Sequence, residues 1–266
     1  MPDSFHLRAL PVPVAGRGPA GVLAAAGLAL ALLAGVAPEA RAQPAAGRVA
    51  TPDAQAVERL VVEKTNAFRL EHGLAALSPE ASLDKAARYF AQHMARTDTH
   101  SHTADGKEPV ERAREHGYDH CIVLENLAFV FNSRGFRAAD LAAQYVEGWK
   151  ESAGHRRNLL DGAVTDIGVA VARSDRSGRW YAVQMFGRPR SRSVRFAVRN
   201  AAPRTVRYRV GDEAFTLAPR TTHTHTQCRS GSVHLDGEPG AAPLAARNGD
   251  KFAIVGRGGG LALRRE

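Results

Sequence analysis

Apolar positions recur at helical spacing in separate stretches, and most of these stretches are bracketed by start and stop residues. Thr51-Pro52 reads as an N-cap followed by proline in the first turn. Val57, Leu60, Val61 and Phe68 then share one helical face, with Glu58 and Glu63 off the apolar stripe, until Gly73 ends the helix. Ser78-Pro79-Glu80 repeats the start signal, and Leu83, Ala86, Ala87, Phe90 and Met94 form the buried stripe of a second helix. The chain turns polar over 97–107, and 109–116 predicts a short third helix stopped by Gly117. The segment 121–131 is strand-like and apolar, with Glu125-Asn126 set in its middle. A further helix follows over 138–151, its apolar face made by Leu141, Ala142, Tyr145, Val146 and Trp149. Two strands, 167–172 and 180–186, close this region around a turn at 174–178.

After Pro189 the helical period disappears. Short β-rich runs at 194–198, 206–210, 214–217, 222–226 and 251–255 are separated by turn pairs such as Gly211-Asp212 and Asn248-Gly249. These predict a small all-β sandwich or barrel over 190–266, following a mixed helix-and-strand domain over 51–189.

The start of the chain follows a different pattern. Arg8 and Arg17 precede an apolar run over 21–37, then Pro38 and Ala40-Arg41-Ala42. A positive start, an apolar middle and a small-x-small exit make a secretory signal peptide over 1–42, cut after Ala42. The alternative, a membrane anchor, needs about 20 apolar residues, more than this Ala-rich run supplies. A Pro/Ala/Gly linker occupies 43–50.

Charge is segregated. Residues 43–189 hold 19 Lys+Arg against 19 Asp+Glu, whereas 190–266 hold 14 against 6. The basic character therefore belongs to the β region. Outside the cell, nucleic acid is not expected as a partner; anionic envelope polymers or lipid head groups are, unless the charge serves solubility alone. Two cysteines remain, Cys121 and Cys228. In an oxidising compartment an even count fits a bridge, but two free thiols fit the sequence equally well.

Chemistry-bearing residues cluster at three places: His100-Ser101-His102, Glu125-Asn126 and Gly154-His155. A glutamate inside an apolar strand is costly unless paired, so something must face Glu125. Two imidazoles and a carboxylate can hold Zn²⁺ or another divalent metal with positions left open. They can equally form a metal-free hydrogen-bonded network. His100 alternates with His102 and is expected to pack elsewhere. His223 and His225, close to Cys228, could take a transition metal, but a solvent-facing Thr/His strand is the expectation.

The motifs also carry a resemblance. Asn66-Ala67-Phe68-Arg69 with Gly73-Leu74 and Leu77, His102 in SHTADGKEP, Glu125 in LENLA, His155 in GWKESAGHRRNLL, and Asp166-Ile167-Gly168-Val169 stand in one order. In that order they resemble the CAP superfamily of cysteine-rich secretory proteins, insect venom antigens and plant pathogenesis-related proteins, and GHRRNLL is similar to its bacterial branch. The resemblance implies a CAP-type α-β-α sandwich, and together with the small all-β domain read after it the chain is α+β. It also implies that His102, Glu125 and His155 line one cleft. Asn66 and Arg69 are expected to tie the first helix to neighbouring loops, and Asn126 to support the cleft. Where eukaryotic members carry a second glutamate this chain has Ser152, and Glu151 one residue earlier is turned about 100° away on a helix. Ser152 is expected instead to cap a short helix presenting His155. The family is mostly secreted and often without proven catalysis. The resemblance thus implies a module for a small hydrophobic or envelope-derived ligand, ahead of a structural envelope protein or a metal-dependent hydrolase.

Overall fold

The computed structural model describes residues 50–238 and 240–266. The signal peptide expected over 1–42 lies outside the described residues, as does all of the 43–50 linker but Ala50.

The first helix, α1 (Ala54–Glu71), starts later than Thr51-Pro52 implied: Asp53 is the cap, its carboxylate accepting from the Gln55 N–H. His72 closes it, and Gly73 takes a positive φ of 71° that only glycine adopts freely. Ser78-Pro79 does not enter the next helix. It forms a two-residue strand, β1 (Ser78–Pro79), and Glu80 caps α2 (Ala81–Thr97). Then come α3 (Pro109–Glu115), β2 (His120–Val130), α4 (Ala138–Glu151), α5 (Ala153–Leu159), β3 (Asp166–Arg173) and β4 (Trp180–Pro189).

One sheet, ordered β1-β3-β4-β2, separates two apolar layers. On one face α1 and α4 pack Val57, Val61, Phe68, Leu141, Tyr145 and Trp149 against the sheet. On the other, α2 packs Leu83, Phe90 and Met94 against Leu127, Tyr181, Val183 and Met185. Alternation along β2 sends odd positions to the α2 side and even ones to the α1 side. Gly168 lets α2 approach β3, because a Cβ there would overlap the Leu83 backbone. Glu58 is buried, not displayed: Arg88 binds both its oxygens at 3.0 and 2.8 Å, and Oε1 also accepts the Val171 N–H of β3.

After a 3-10 turn (Arg190–Arg192) only strands follow among the described residues: β5 (Val194–Asn200), β6 (Val206–Val210), β7 (Glu213–Leu217), β8 (Thr222–Gln227), β9 (Ser232–Leu235), β10 (Leu244–Ala245), β11 (Lys251–Arg257) and β12 (Gly260–Arg265). They make two four-stranded sheets, β10-β9-β6-β7 and β12-β11-β5-β8, around Phe196, Val198, Tyr208, Val233, Phe252 and Ile254. β9, β10 and β12 carry patterns too weak to read from the sequence. The disulfide Cys121–Cys228, with Cα atoms 5.2 Å apart, ties this region to β2. Arg229 adds a two-pronged ion pair to Asp161.

The β8 histidines depart from the solvent-facing expectation. His223 is exposed, but His225 is buried, stacked on Phe196 and bonded through Nε2 to the Tyr208 hydroxyl at 2.9 Å. Burial, and then His223, push the His225 pKa from 6.5 down to about 4. Between these values the unfolded chain binds a proton that the folded one refuses. This contribution to stability is therefore intact above pH 6.5 and lost as pH falls towards 4. In urea titrations across this window, His225→Gln is expected to flatten the fall in unfolding free energy by up to about 1.4 kcal/mol per pH unit. An unchanged slope would show that His225 does not govern it.

Candidate functional site

The site straddles β2, the edge strand of the first sheet. Glu125 and Asn126 are neighbours in this strand and so point to opposite faces. On the α2 side Glu125 is almost wholly buried, its side chain 1% exposed. Its partner is Arg112 of α3, whose Nη2 donates to both carboxylate oxygens at 3.0 and 2.7 Å. The same guanidinium reaches Asp105 through Nη1 at 2.9 Å and lies 3.5 Å from the centre of the Phe90 ring. A buried cation between two buried carboxylates is the pairing that makes such burial tolerable.

The third partner of Glu125 is His102, Nδ1 to Oε1 at 2.8 Å. A carboxylate only accepts, so Nδ1 donates and Nε2 of the neutral ring keeps its lone pair. The His102 side chain is 38% exposed, so the buried chain of charges ends at the surface.

On the opposite face Asn126 is fully buried and joins a second network. Its amide donates to Gln184 Oε1 at 3.1 Å, and Gln184 in turn donates to the Thr65 hydroxyl at 2.8 Å. Asn158 of α5 donates to Asn126 Oδ1 at 2.9 Å and to the Glu125 carbonyl at 3.2 Å, and the Asn126 amide also reaches the His155 carbonyl at 3.3 Å. These bonds pin α5, and with it His155, against the edge strand. The His155 ring makes no hydrogen bond to Glu125. Burial, and then the neighbouring His102, hold its pKa below 6.5.

His102 and Glu125 thus meet directly, while His155 stands close to His102 as a separate, half-buried imidazole. Ser152 precedes α5 as expected, but its hydroxyl makes no capping bond. Glu151 is exposed. Asn66 bridges to Leu77 through both its carbonyl and its amide, and Arg69 caps the Ala75, Leu159 and Asp161 carbonyls, so both tie α1 to loops. His100 packs edge-on against Phe129. Sequence reasoning misses Arg112, Asp105, Asn158 and Gln184. The requirement that a cation face Glu125 points to Arg112, which lies on the charge-rich helix just before β2.

A three-ligand metal centre does not fit these residues. Both Glu125 oxygens are held by Arg112 and one also by His102, leaving only two imidazoles. Among the described residues no group of three or more His, Cys, Asp or Glu is arranged to hold an ion. Two formed grooves lie elsewhere, one of about 380 Å³ beside Glu58, Asp84 and Arg88, the other of about 310 Å³ beside Arg96, Arg173 and Arg176.

Residues 62–186 match the cysteine-rich secretory protein family, CAP, and this part of the chain is a CAP domain. Among curated relatives, the chain is 32% identical over 120 residues to the uncharacterized protein YkwD of Bacillus subtilis (strain 168), covering 45% of this chain and 44% of YkwD. It is 31% identical over 117 residues to the uncharacterized membrane protein YlbC of the same strain, covering 44% of this chain and 32% of YlbC. The matched stretch spans less than half the length of either relative. Among solved structures, an extracellular SCP-domain protein from Bacillus anthracis str. Ames aligns at 24% identity and TM-score 0.44, over 51% of this chain and 41% of that one. An outer surface protein from Borrelia burgdorferi aligns at 20% identity and TM-score 0.46, over 52% of this chain and 96% of that one.

Proposed function

We propose that the protein is an exported binding module whose mature chain begins at Gln43. Its CAP domain takes a small ligand at the His102–His155 rim, and its basic strands hold it at the cell envelope through anionic polymer or lipid head groups. One observation carries the ligand reading: the Arg112–Glu125–His102 chain holds a partly exposed imidazole through its Nδ1, next to a second imidazole disfavoured from charging. Two such groups suit hydrogen bonding to a polar, envelope-derived ligand better than to a purely hydrophobic one.

Hydrolysis fits the site less well. Glu125 is buried and ion-paired to Arg112 through both oxygens, which disfavours it as a base or a third ligand, so Zn²⁺ or another divalent cation would rest on His102 and His155. A structural role for the network is the second reading, since a satisfied charge cluster can serve packing only.

Mass spectrometry and metal analysis of the protein purified from its native host separate these. The expected result is a co-purifying small molecule, lost on combining His102→Ala with His155→Ala, with thermal stability within about 1 kcal/mol of the parent. Stoichiometric zinc lost with the same pair would favour the metal reading. A parent protein free of both ligand and metal would overturn the proposal and leave the structural one.

A further inference from the structure

The two faces of the C-terminal strands differ in how their cations are compensated. In the sheet β12-β11-β5-β8, Val194, Phe196 and Val198 point into the core, so Arg195, Ala197 and Arg199 point outward. The register extends this parity across the sheet. Ala197 stands opposite Thr224 on β8 and Lys251 on β11, and Arg199 opposite Thr222 and Ala253. Ala253 is in turn opposite Arg264 on β12. The outward face therefore displays Thr222, Thr224 and Thr226 on its edge strand, and beside them Arg195, Arg199, Lys251 and Arg264. One carboxylate, Glu266, pairs with Arg199. Arg195, Lys251 and Arg264 have no ion-pair partner among the described residues. Around the opposite sheet the cations are more often answered, Arg209 by Asp236 and Arg204 by Glu238.

Strand geometry sets the spacing. Same-face residues lie about 6.8 Å apart along a strand and neighbouring strands about 4.8 Å apart, so the four cations form a flat grid roughly 10–13 Å on a side. Arg199 is answered by Glu266, but the other three cations of the grid are not, and such an excess of positive charge attracts a polyanion. The chemistry beside it distinguishes polyanions. A row of hydroxyls can exchange hydrogen bonds with sugar hydroxyls. Among the described residues the large exposed apolar side chains are Leu70, Val110 and Phe131, all outside this sheet, so the face has no apolar anchor to bury in a bilayer.

We propose that this outward face binds a linear anionic polysaccharide, its acidic groups on Arg195, Lys251 and Arg264 and its hydroxyls on the threonine row. The proposal rests on the envelope-attachment reading above and narrows it to one face and one polymer class.

The test measures binding of the mature chain to polygalacturonate, to its neutral methyl-esterified form, to phosphatidylglycerol vesicles and to whole envelope fractions. Arg195→Gln with Lys251→Gln and Arg264→Gln removes three charges from the face. Arg96→Gln with Arg134→Gln and Arg207→Gln removes three from elsewhere, and circular dichroism checks that each variant folds. The expected result is salt-sensitive binding to polygalacturonate only, roughly tenfold weaker in the first variant and unchanged in the second. The single variant Arg264→Gln is expected to fall between. Equal losses in both triple variants would overturn the face, and binding to vesicles but not to polygalacturonate would overturn the polymer. Binding to envelope fractions without binding to polygalacturonate leaves the attachment reading standing and this one refuted. Binding to none of them removes both.

Discussion

Replacing Arg112 with methionine is expected to destabilise the protein by about 3–5 kcal/mol in urea unfolding at neutral pH. The side chain is fully buried between Asp105 and Glu125, each 1% exposed, and its removal strands two carboxylates in a medium that cannot solvate them. The lost stacking on Phe90 adds to this. Charge, not volume, is the cause, so Asp105→Asn with Glu125→Gln in the Arg112→Met background should restore part of the loss. The change also frees the Glu125 carboxylate from its anchor. Retention of ligand at the His102–His155 rim should then fall even under conditions where the variant stays folded. A loss under about 1 kcal/mol, or no rescue by neutralising the acids, would mean that the buried ion pairs do not carry the stability assigned to them.

Converting Cys121 and Cys228 together to serine is expected to cost about 2–5 kcal/mol. The bridge spans 107 residues of sequence, so in the chain-entropy view its removal greatly enlarges the unfolded ensemble. It also joins the edge strand β2 of the CAP sheet to the segment just after β8. Without it, the Arg229–Asp161 pair is the prominent remaining tie near that junction, and exposed ion pairs contribute about 1 kcal/mol or less. Calorimetry should show a lower main transition and a separate melting step for the C-terminal strands. Limited proteolysis near 190–193 should speed up. A serine variant with the parent's melting profile would show that packing alone joins the two regions.

Much of the fold is legible along the chain. The stripes of α2 and α4 are readable because residues 3–4 apart share a face whatever the rest of the chain does, and the β2, β3 and β4 runs because apolar segments of that length have few other fates. Boundaries are less legible. Asp53 caps α1 in place of Thr51, and Ser78-Pro79 joins a sheet, because the distant strand β3 supplies the hydrogen bonds. Glu58 reads as a solvent residue in the sequence. Only its pairing with Arg88 and with the β3 backbone explains its burial.

The candidate site divides in the same way. Glu125 in an apolar strand announces by itself that a partner must exist, and the order of the His102, Glu125 and His155 motifs places all three in one family pattern. Which partner wins is a question of distance. Arg112 takes the carboxylate because α3 lays a cation directly over β2, and this turns Glu125 from a free ligand into the residue that orients His102. Asn126, one position on, serves the other face and fixes α5. His225 is buried by Phe196 and Tyr208, which lie on other strands. Local sequence thus determined the helices, most of the strands and the need for compensation at Glu125, since these depend on neighbours within a few residues. Tertiary structure alone decided which charge meets which, and whether the two cysteines pair, because electrostatic energy depends on separation in space, and chain order does not encode that separation.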